Sequence, residues 1–207
     1  MTELTVLQAV RLKGRVSPAD LAKTLETLGS DPAEIATTVE QLATSGLLAG
    51  GMTLRITPRG RARLEALLAA ERKGVDPAAL ANAYGDFRSV NTDFKALVTD
   101  WQLKGGPDGE RNTHEDAEYD AAVLARLEGV HERAAPIIAA AATQLPRLSV
   151  YAAKLRTALN KVKAGEIAWL TKPLIDSYHT VWFELHEELI LAVGLTREEA
   201  ARSGDAQ

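Results

Sequence analysis

The stretch LLAGGMTLRITPRGRARLEALLAAERKG, Leu47 to Gly74, decides how the first third of the chain folds. Leu47-Leu48 and Met52 to Ile56 read as two short strands around Ala49-Gly50-Gly51, a hairpin turn. Thr57-Pro58 then opens a helix that carries Leu64, Leu67 and Leu68 on one face. Three helices lie upstream. Leu4, Leu7 and Val10 recur at helical spacing, and the run stops near Gly14. Ser17-Pro18 caps a second helix, with proline at the first helical position, where its missing N–H costs nothing. Leu21, Leu25 and Leu28 line its buried face, and Gly29 ends it. Asp31-Pro32 repeats the device for a third helix, and Glu34 stands three residues after the cap, as in a capping box. Ile35, Val39 and Leu42 form that helix's apolar stripe, and Gly46 closes it.

Three helices, a hairpin and a further helix make a winged helix-turn-helix, assigned to residues 1–74. The segment ITPRGRARLEALL, Ile56 to Leu68, resembles the LT-x-x-G wing-to-helix segment of MarR-like and PadR-like regulators. That resemblance implies that the third helix enters the major groove of duplex DNA, with affinity drawn mainly from Lys and Arg on phosphates. Candidate contacts are Thr37, Thr38 and Gln41 for base edges. Arg55, Arg59, Arg61 and Arg63, with Lys23, are the candidate phosphate contacts, and Arg59/Arg61/Arg63 is the best cluster among them. The same cluster also reads as the solvated first turn of a helix. The third helix itself opposes DNA binding: it offers Glu34 and Glu40, has no lysine or arginine, and is followed by an uncharged wing tip. Binding to DNA is therefore expected to be weak and salt-sensitive.

The 207 residues include 24 Lys/Arg against 28 Asp/Glu, a net charge of −4. The balance is uneven, since residues 1–75 carry a net +2 and the remainder −6. An acidic second part is a poor nucleic-acid surface, which leaves any such role to the first. No cysteine is present, so disulfides, thiolate metal sites and thiol chemistry are excluded. MTELTVLQAVRLKGR lacks the basic-then-apolar pattern of a secretory signal. The longest apolar run, Ala134 to Ala142, is short and broken by Pro136. A cytoplasmic protein with no membrane partner is expected.

Residues 75–207 read as an antiparallel four-helix bundle followed by a flexible polar tail, TREEAARSGDAQ, which makes the whole chain mainly α. The first long helix starts at Asp76-Pro77 and ends near Lys104, with Leu80, Tyr84, Phe87, Asn91, Phe94, Val98 and Trp101 in one stripe. KGGPDGERNT is expected to be a polar loop. The second helix runs from about Glu115 to Gln144, with Tyr119, Val123, Arg126, Val130 and Ile137 on one face and a kink at Pro136. The third, Leu148 to Lys163, carries Leu148, Tyr151, Ala152, Leu155, Leu159 and Val162 in register. The fourth follows Lys172-Pro173 and runs to Val193. Winding it at 100° per residue puts Ile175, His179, Phe183, His186 and Ile190 on one face, flanked by Asp176 and Trp182.

These phases predict a polar layer of Asn91, Arg126, Asp176, His179 and His186, walled by Trp101, Tyr119, Tyr151, Trp182 and Phe183. Two interpretations stay open. The layer is a satisfied structural network, as buried polar groups require. Alternatively it is a pocket for a small anionic or aromatic ligand, built from Asn91, Trp101, Arg126, Asp176, His179, Trp182 and His186. A metal is not expected, although Glu128-x-x-His131 and Asp176-x-x-His179 have the acidic-x-x-His spacing of di-iron bundles. His179 and His186 stand about 10 Å apart along the helix axis, too far to share one ion. The chain has no G-x-S-x-G, P-loop or dinucleotide fingerprint, so no catalytic residue and no cofactor is assigned.

VNTDFKALVTDWQ (Val90–Gln102), YDAAVLARLEGVHERAAPI (Tyr119–Ile137) and DSYHTVWFELHEELI (Asp176–Ile190) carry a second resemblance. Set behind a winged helix, they resemble the C-terminal extension of actinobacterial pyruvate phosphate dikinase-like, phosphoenolpyruvate-utilising proteins. The resemblance implies an accessory or regulatory module. It transfers no catalytic residue, because the phosphohistidine and ATP-grasp domains have no counterpart here. The expected protein is a non-enzymatic, ligand-responsive transcriptional regulator, a homodimer built through its helical part. The alternative is a protein-interaction or accessory module whose winged helix does not bind DNA.

Overall fold

Most helix starts among the described residues carry a side-chain cap that binds backbone N–H groups no helix can satisfy by itself. The computed structural model describes residues 2–26 and 29–202, which are mainly helical. The chain divides into two compact units, Met1–Gly74 and Val75–Gln207.

In the first unit, α1 (Glu3–Lys13) begins at Thr2, whose hydroxyl accepts from Thr5 N, and ends at Gly14 in the left-handed region. Val6, Leu7 and Val10 are its buried residues, with Gln8 buried beside them. α2 (Pro18–Glu26) is capped by Ser17, which accepts from Asp20 N and donates to the Asp20 carboxylate. Leu21 and Leu25 fill its inner face; Leu28 lies outside the described residues. α3 (Pro32–Thr44) starts at Asp31, which accepts from Ala33 N. Ile35 and Leu42 are buried, while Val39 is only half-buried.

A short antiparallel pair follows, β1 (Leu48–Ala49) with β2 (Arg55–Ile56), in register Leu48↔Ile56 and Ala49↔Arg55. Residues 50–54 connect the two, a longer turn than the expected three residues. Leu54 meanwhile pairs back to Val16, from the segment between α1 and α2. Thr57 then locks the start of α4 (Pro58–Arg72). Its hydroxyl accepts from Gly60 N and donates to Gly46 O and Leu47 O at 2.8 and 3.1 Å. Gly60 explains the glycine of the I-T-P-R-G run. A Cβ there would stand 2.1 Å from Leu47 O and 2.9 Å from Ile56 Cγ1, so the first turn of α4 reaches the hairpin only because position 60 has no side chain.

The second unit begins with α5 (Pro77–Gln102), capped by Asp76 on Ala78 N. The expected loop after it is instead a β-hairpin, β3 (Leu103–Lys104) with β4 (Glu110–Arg111), pairing Leu103↔Arg111 and Lys104↔Glu110. α6 (Ala117–Gln144) passes through Pro136 as one helix. A 3₁₀ turn (Pro146–Ser149) leads into α7 (Val150–Lys163), and α8 (Ala168–Thr171) is a single turn. α9 (Tyr178–Ala192) starts five residues after Pro173 and is capped by Ser177, which accepts from Thr180 N. The last helix, α10 (Arg197–Arg202), occupies part of the segment expected to be a flexible tail; residues 203–207 are outside the described set. It forms because Thr196 and Glu199 make a capping box. Glu199 N donates to the Thr196 hydroxyl while the Glu199 carboxylate accepts from Thr196 N at 2.7 Å.

One core runs through the second unit, from Leu80 on α5 to Ala200 on α10. α5 lies along α6, and α9 contacts α7, α8 and α5. That position explains the largest departure from the expected phases. α9 is covered on several sides, so Glu184, His186, Glu187 and Glu188 are all buried, whereas Phe183, expected on the inner face, is 40 % exposed.

Candidate functional site

Arginine placement separates the candidates in the first unit. Val16 and Leu54 pair and turn inward, so their chain neighbours Arg15 and Arg55 lie on the outward side. Arg61 joins them from the first turn of α4. The three arginines line one cleft of about 380 Å³ together with Thr57. Among the described residues none of the three is ion-paired. Guanidinium groups present planar N–H forks that suit the oxygens of an anion. Arg15 was missed at the sequence level because its approach depends on the pairing of Val16 with Leu54, 38 residues away.

Of the expected cluster Arg59/Arg61/Arg63, only Arg61 lines that cleft. Arg59 is exposed and does not line the cleft. Arg63 is committed to Glu3: its Nε donates to both carboxylate oxygens and its Nη2 donates to Oε2 at 2.7 Å. Those hydrogen bonds, and then the charge of Glu3, raise the guanidinium pKa above its ordinary value. On α3, Thr37 is exposed and Thr38 half-buried, but both hydroxyls donate to the helix's own carbonyls, of Ala33 at 2.9 Å and Glu34 at 2.8 Å. Such back-bonding consumes the one donor each threonine could offer a base edge. Gln41 is exposed, as are Glu34 and Glu40.

In the second unit the structure gathers three of the seven candidate pocket residues. Trp182 Nε1 donates to Asn91 Oδ1 at 2.9 Å, and Phe87 stacks on Trp182 with centroids 4.9 Å apart. His186 lies against Phe87 and Tyr84, at 5.4 and 6.3 Å. His179 is half-buried beside Phe94, and burial lowers its pKa. The rest are elsewhere. Arg126 is exposed and donates to Asp100 at 2.7 Å, because residue 127, not 126, faces the core. Asp176 precedes α9 and pairs with Lys154, and Trp101 sits at the far end of α5 beside His114. Of the expected walls, Tyr119 donates to Asp100 O, and Tyr151 belongs to a different network. Aromatic rings thus pack against Trp182 and His186, with Asn91 tied to Trp182.

That different network is a buried set of charges joining α7 to α9. Lys154, 6 % exposed, holds its ammonium 3.0 Å from Asp176 Oδ2 and 3.9 Å from Glu184 Oε2. One turn along α9, Glu188 accepts from Arg147 at 2.5 Å and from the Tyr151 hydroxyl at 3.5 Å. Burial first, and then the Glu188 carboxylate, push the Tyr151 phenol well above its ordinary range. The available signal was charge complementarity: α9 carries three glutamates, and α7 with its preceding turn carries lysines and arginines only. Among the described residues no group of three or more His, Cys, Asp or Glu side chains could hold a metal ion, and no helix is long and apolar enough to cross a membrane. No protein-family model, curated protein or solved structure matches the chain.

Proposed function

We propose that the protein is a ligand-responsive transcriptional regulator whose first unit is a winged helix-turn-helix and whose second unit joins two copies into a homodimer. The observation that carries this is the cleft of Arg15, Arg55 and Arg61, drawn from separate segments of the first unit and, among the described residues, without a carboxylate partner. Duplex DNA is the anion that suits it, and the grip comes from phosphates rather than from α3. Sequence discrimination is then modest, because base readout would rest on Gln41 and on threonine acceptor lone pairs.

Titration of labelled duplex from the native upstream region, at stepped salt, tests the proposal. Micromolar affinity at low salt is expected, and each of Arg15→Ala, Arg55→Ala and Arg61→Ala should reduce the log–log salt slope by about one unit. Arg63→Ala should leave the slope unchanged. Failure to bind, with and without cell extract, removes the regulator. A second function is favoured by one specific observation: α3 presents Glu34 and Glu40 and no cation. In that case the first unit is a protein-docking element of an accessory module, of the kind implied by the likeness to phosphoenolpyruvate-utilising proteins. Loss of self-association or partner capture on Glu34→Lys/Glu40→Lys, with no DNA binding in either form, would distinguish it.

A further inference from the structure

The β3–β4 hairpin and the segment after it build a second cleft, of about 480 Å³, lined by Trp101, Arg111, Asn112, His114 and Thr171 among others. Its size lies within the range of small-molecule sites. Asn112 organises it. Buried at 5 %, its side-chain amide donates to Trp101 O and to Asp120 Oδ1 at 2.8 Å, while its Oδ1 accepts from His114 N at 3.0 Å. This clamp holds His114 in the left-handed region at φ 61°, a conformation that costs energy for a residue with a Cβ. The imidazole is then fixed twice: Nδ1 lies 2.9 Å from Asp120 Oδ2, and the ring packs 4.3 Å from the Trp101 ring. An ionised carboxylate only accepts, so Nδ1 is the donor in that contact and Nε2 is left for a ligand, as an acceptor in the neutral ring and as a donor in the imidazolium.

The charges around the cleft are unequal in their commitments. Lys104 donates to Asp116 at 2.5 Å and lies over the Tyr119 ring, and Asp120 is taken by Asn112 and His114. Arg111, exposed on β4 at the cleft's edge, has no ion pair among the described residues. A guanidinium and an oriented imidazole beside an aromatic wall make a receptor for a small oxyanion. We propose that this cleft binds a carboxylate- or phosphate-bearing small molecule, with Arg111 supplying a fixed charge and the imidazolium form of His114 donating a directed hydrogen bond from Nε2. The site lies wholly in the second unit, and it stands whether or not the first unit binds DNA.

The test follows the imidazole ¹⁵N resonances of the full chain during titration at constant ionic strength. One arm uses inorganic phosphate, a second succinate, and a third sodium chloride alone. The expected result is a saturable shift of the His114 signals, identified by their absence in His114→Gln, with phosphate or with succinate. Arg111→Gln, at an exposed position, should weaken that binding at least tenfold, and Arg126→Gln should not. Saturation by phosphate alone assigns a phosphorylated ligand, and by succinate alone a carboxylic acid. Shifts that never saturate, that sodium chloride reproduces, or that survive Arg111→Gln unchanged overturn the proposal.

Discussion

Replacing Lys154 by methionine tests whether the buried charges between α7 and α9 act as one unit. The ammonium faces Asp176 at 3.0 Å and Glu184 at 3.9 Å. At an effective dielectric near 20, each contact represents roughly 4–6 kcal/mol of Coulomb attraction. Most of that is offset. Lys154 and Glu184 have both given up hydration, and Asp176, with a side chain 31 % exposed, is partly screened by water. The substitution removes the cation and leaves the cost of burying Glu184 in place, which for a broken buried pair is about 3–5 kcal/mol. The partial exposure of Asp176 puts the expectation at the lower end, about 3 kcal/mol, or roughly 10 °C in melting temperature for a unit of this size. Urea denaturation followed by circular dichroism reads it, with an unchanged m-value if only stability has altered. Lys154→Met/Glu184→Leu removes both buried charges and should recover at least half of the loss. A single variant within 1 kcal/mol of wild type, or a double variant no better than the sum of its parts, would refute the reasoning.

Three further outcomes are expected. Gly60→Ala drives a Cβ into the Leu47 carbonyl, which cannot yield as a flexible side chain would, and should cost the first unit about 2–3 kcal/mol. Hydrogen exchange should show protection lost in α1–α4 and kept in α5–α9; equal loss in both, or none, contradicts it. Burial holds the imidazoles of His131 and His179 below the ordinary histidine range, with Arg156 adding to the effect at His131. A folded pKa below the unfolded one means stability that is complete above about pH 6.5 and is lost as pH falls towards the folded values. Melting temperature should therefore fall from pH 7 to pH 5, less steeply in His179→Gln; a flat profile would count against burial. Finally, residues 75–207 should fold alone with a cooperative melt, since their core is drawn entirely from Val75 onward; an unfolded fragment would show that the core is incomplete.

Local signals carried the parts of this fold that are decided locally. Ser17, Asp31, Thr57 and Asp76 each bind an N–H two or three residues ahead, so a cap can be recognised within four letters of sequence. Helical phase served α5 well, because one side of it is buried and the other is wet: Phe87, Asn91, Phe94 and Trp101 all fall inside. It failed on α9 for a physical reason. A helix covered from several directions has no single inner face, so periodicity assigned Phe183 to the core and gave no warning of Glu184, Glu187 and Glu188.

The candidate sites were less legible, and the residues missed (Arg15, His114) or given the wrong partners (Asp176) share a cause. Arg15 follows Gly14 at φ 69°, His114 itself sits at φ 61°, and Asp176 comes two residues after Leu174 at φ 68°. Each lies where the chain leaves regular structure, and each finds its partners through contacts that span the sequence. Arg15 reaches Arg55 through the Val16–Leu54 pairing, His114 meets Trp101 across the hairpin, and Asp176 meets Lys154 on the preceding long helix. A period of 3.6 residues describes none of these places. The converse error has the same origin: Arg63 looked available because Glu3, sixty residues earlier, is beside it only after α1 packs on α4. Net charge along the sequence therefore overstates what a surface can offer a ligand. What matters is which cations both line a cleft and lack a carboxylate partner; among the described residues Arg15, Arg55 and Arg61 meet both conditions in one unit and Arg111 in the other.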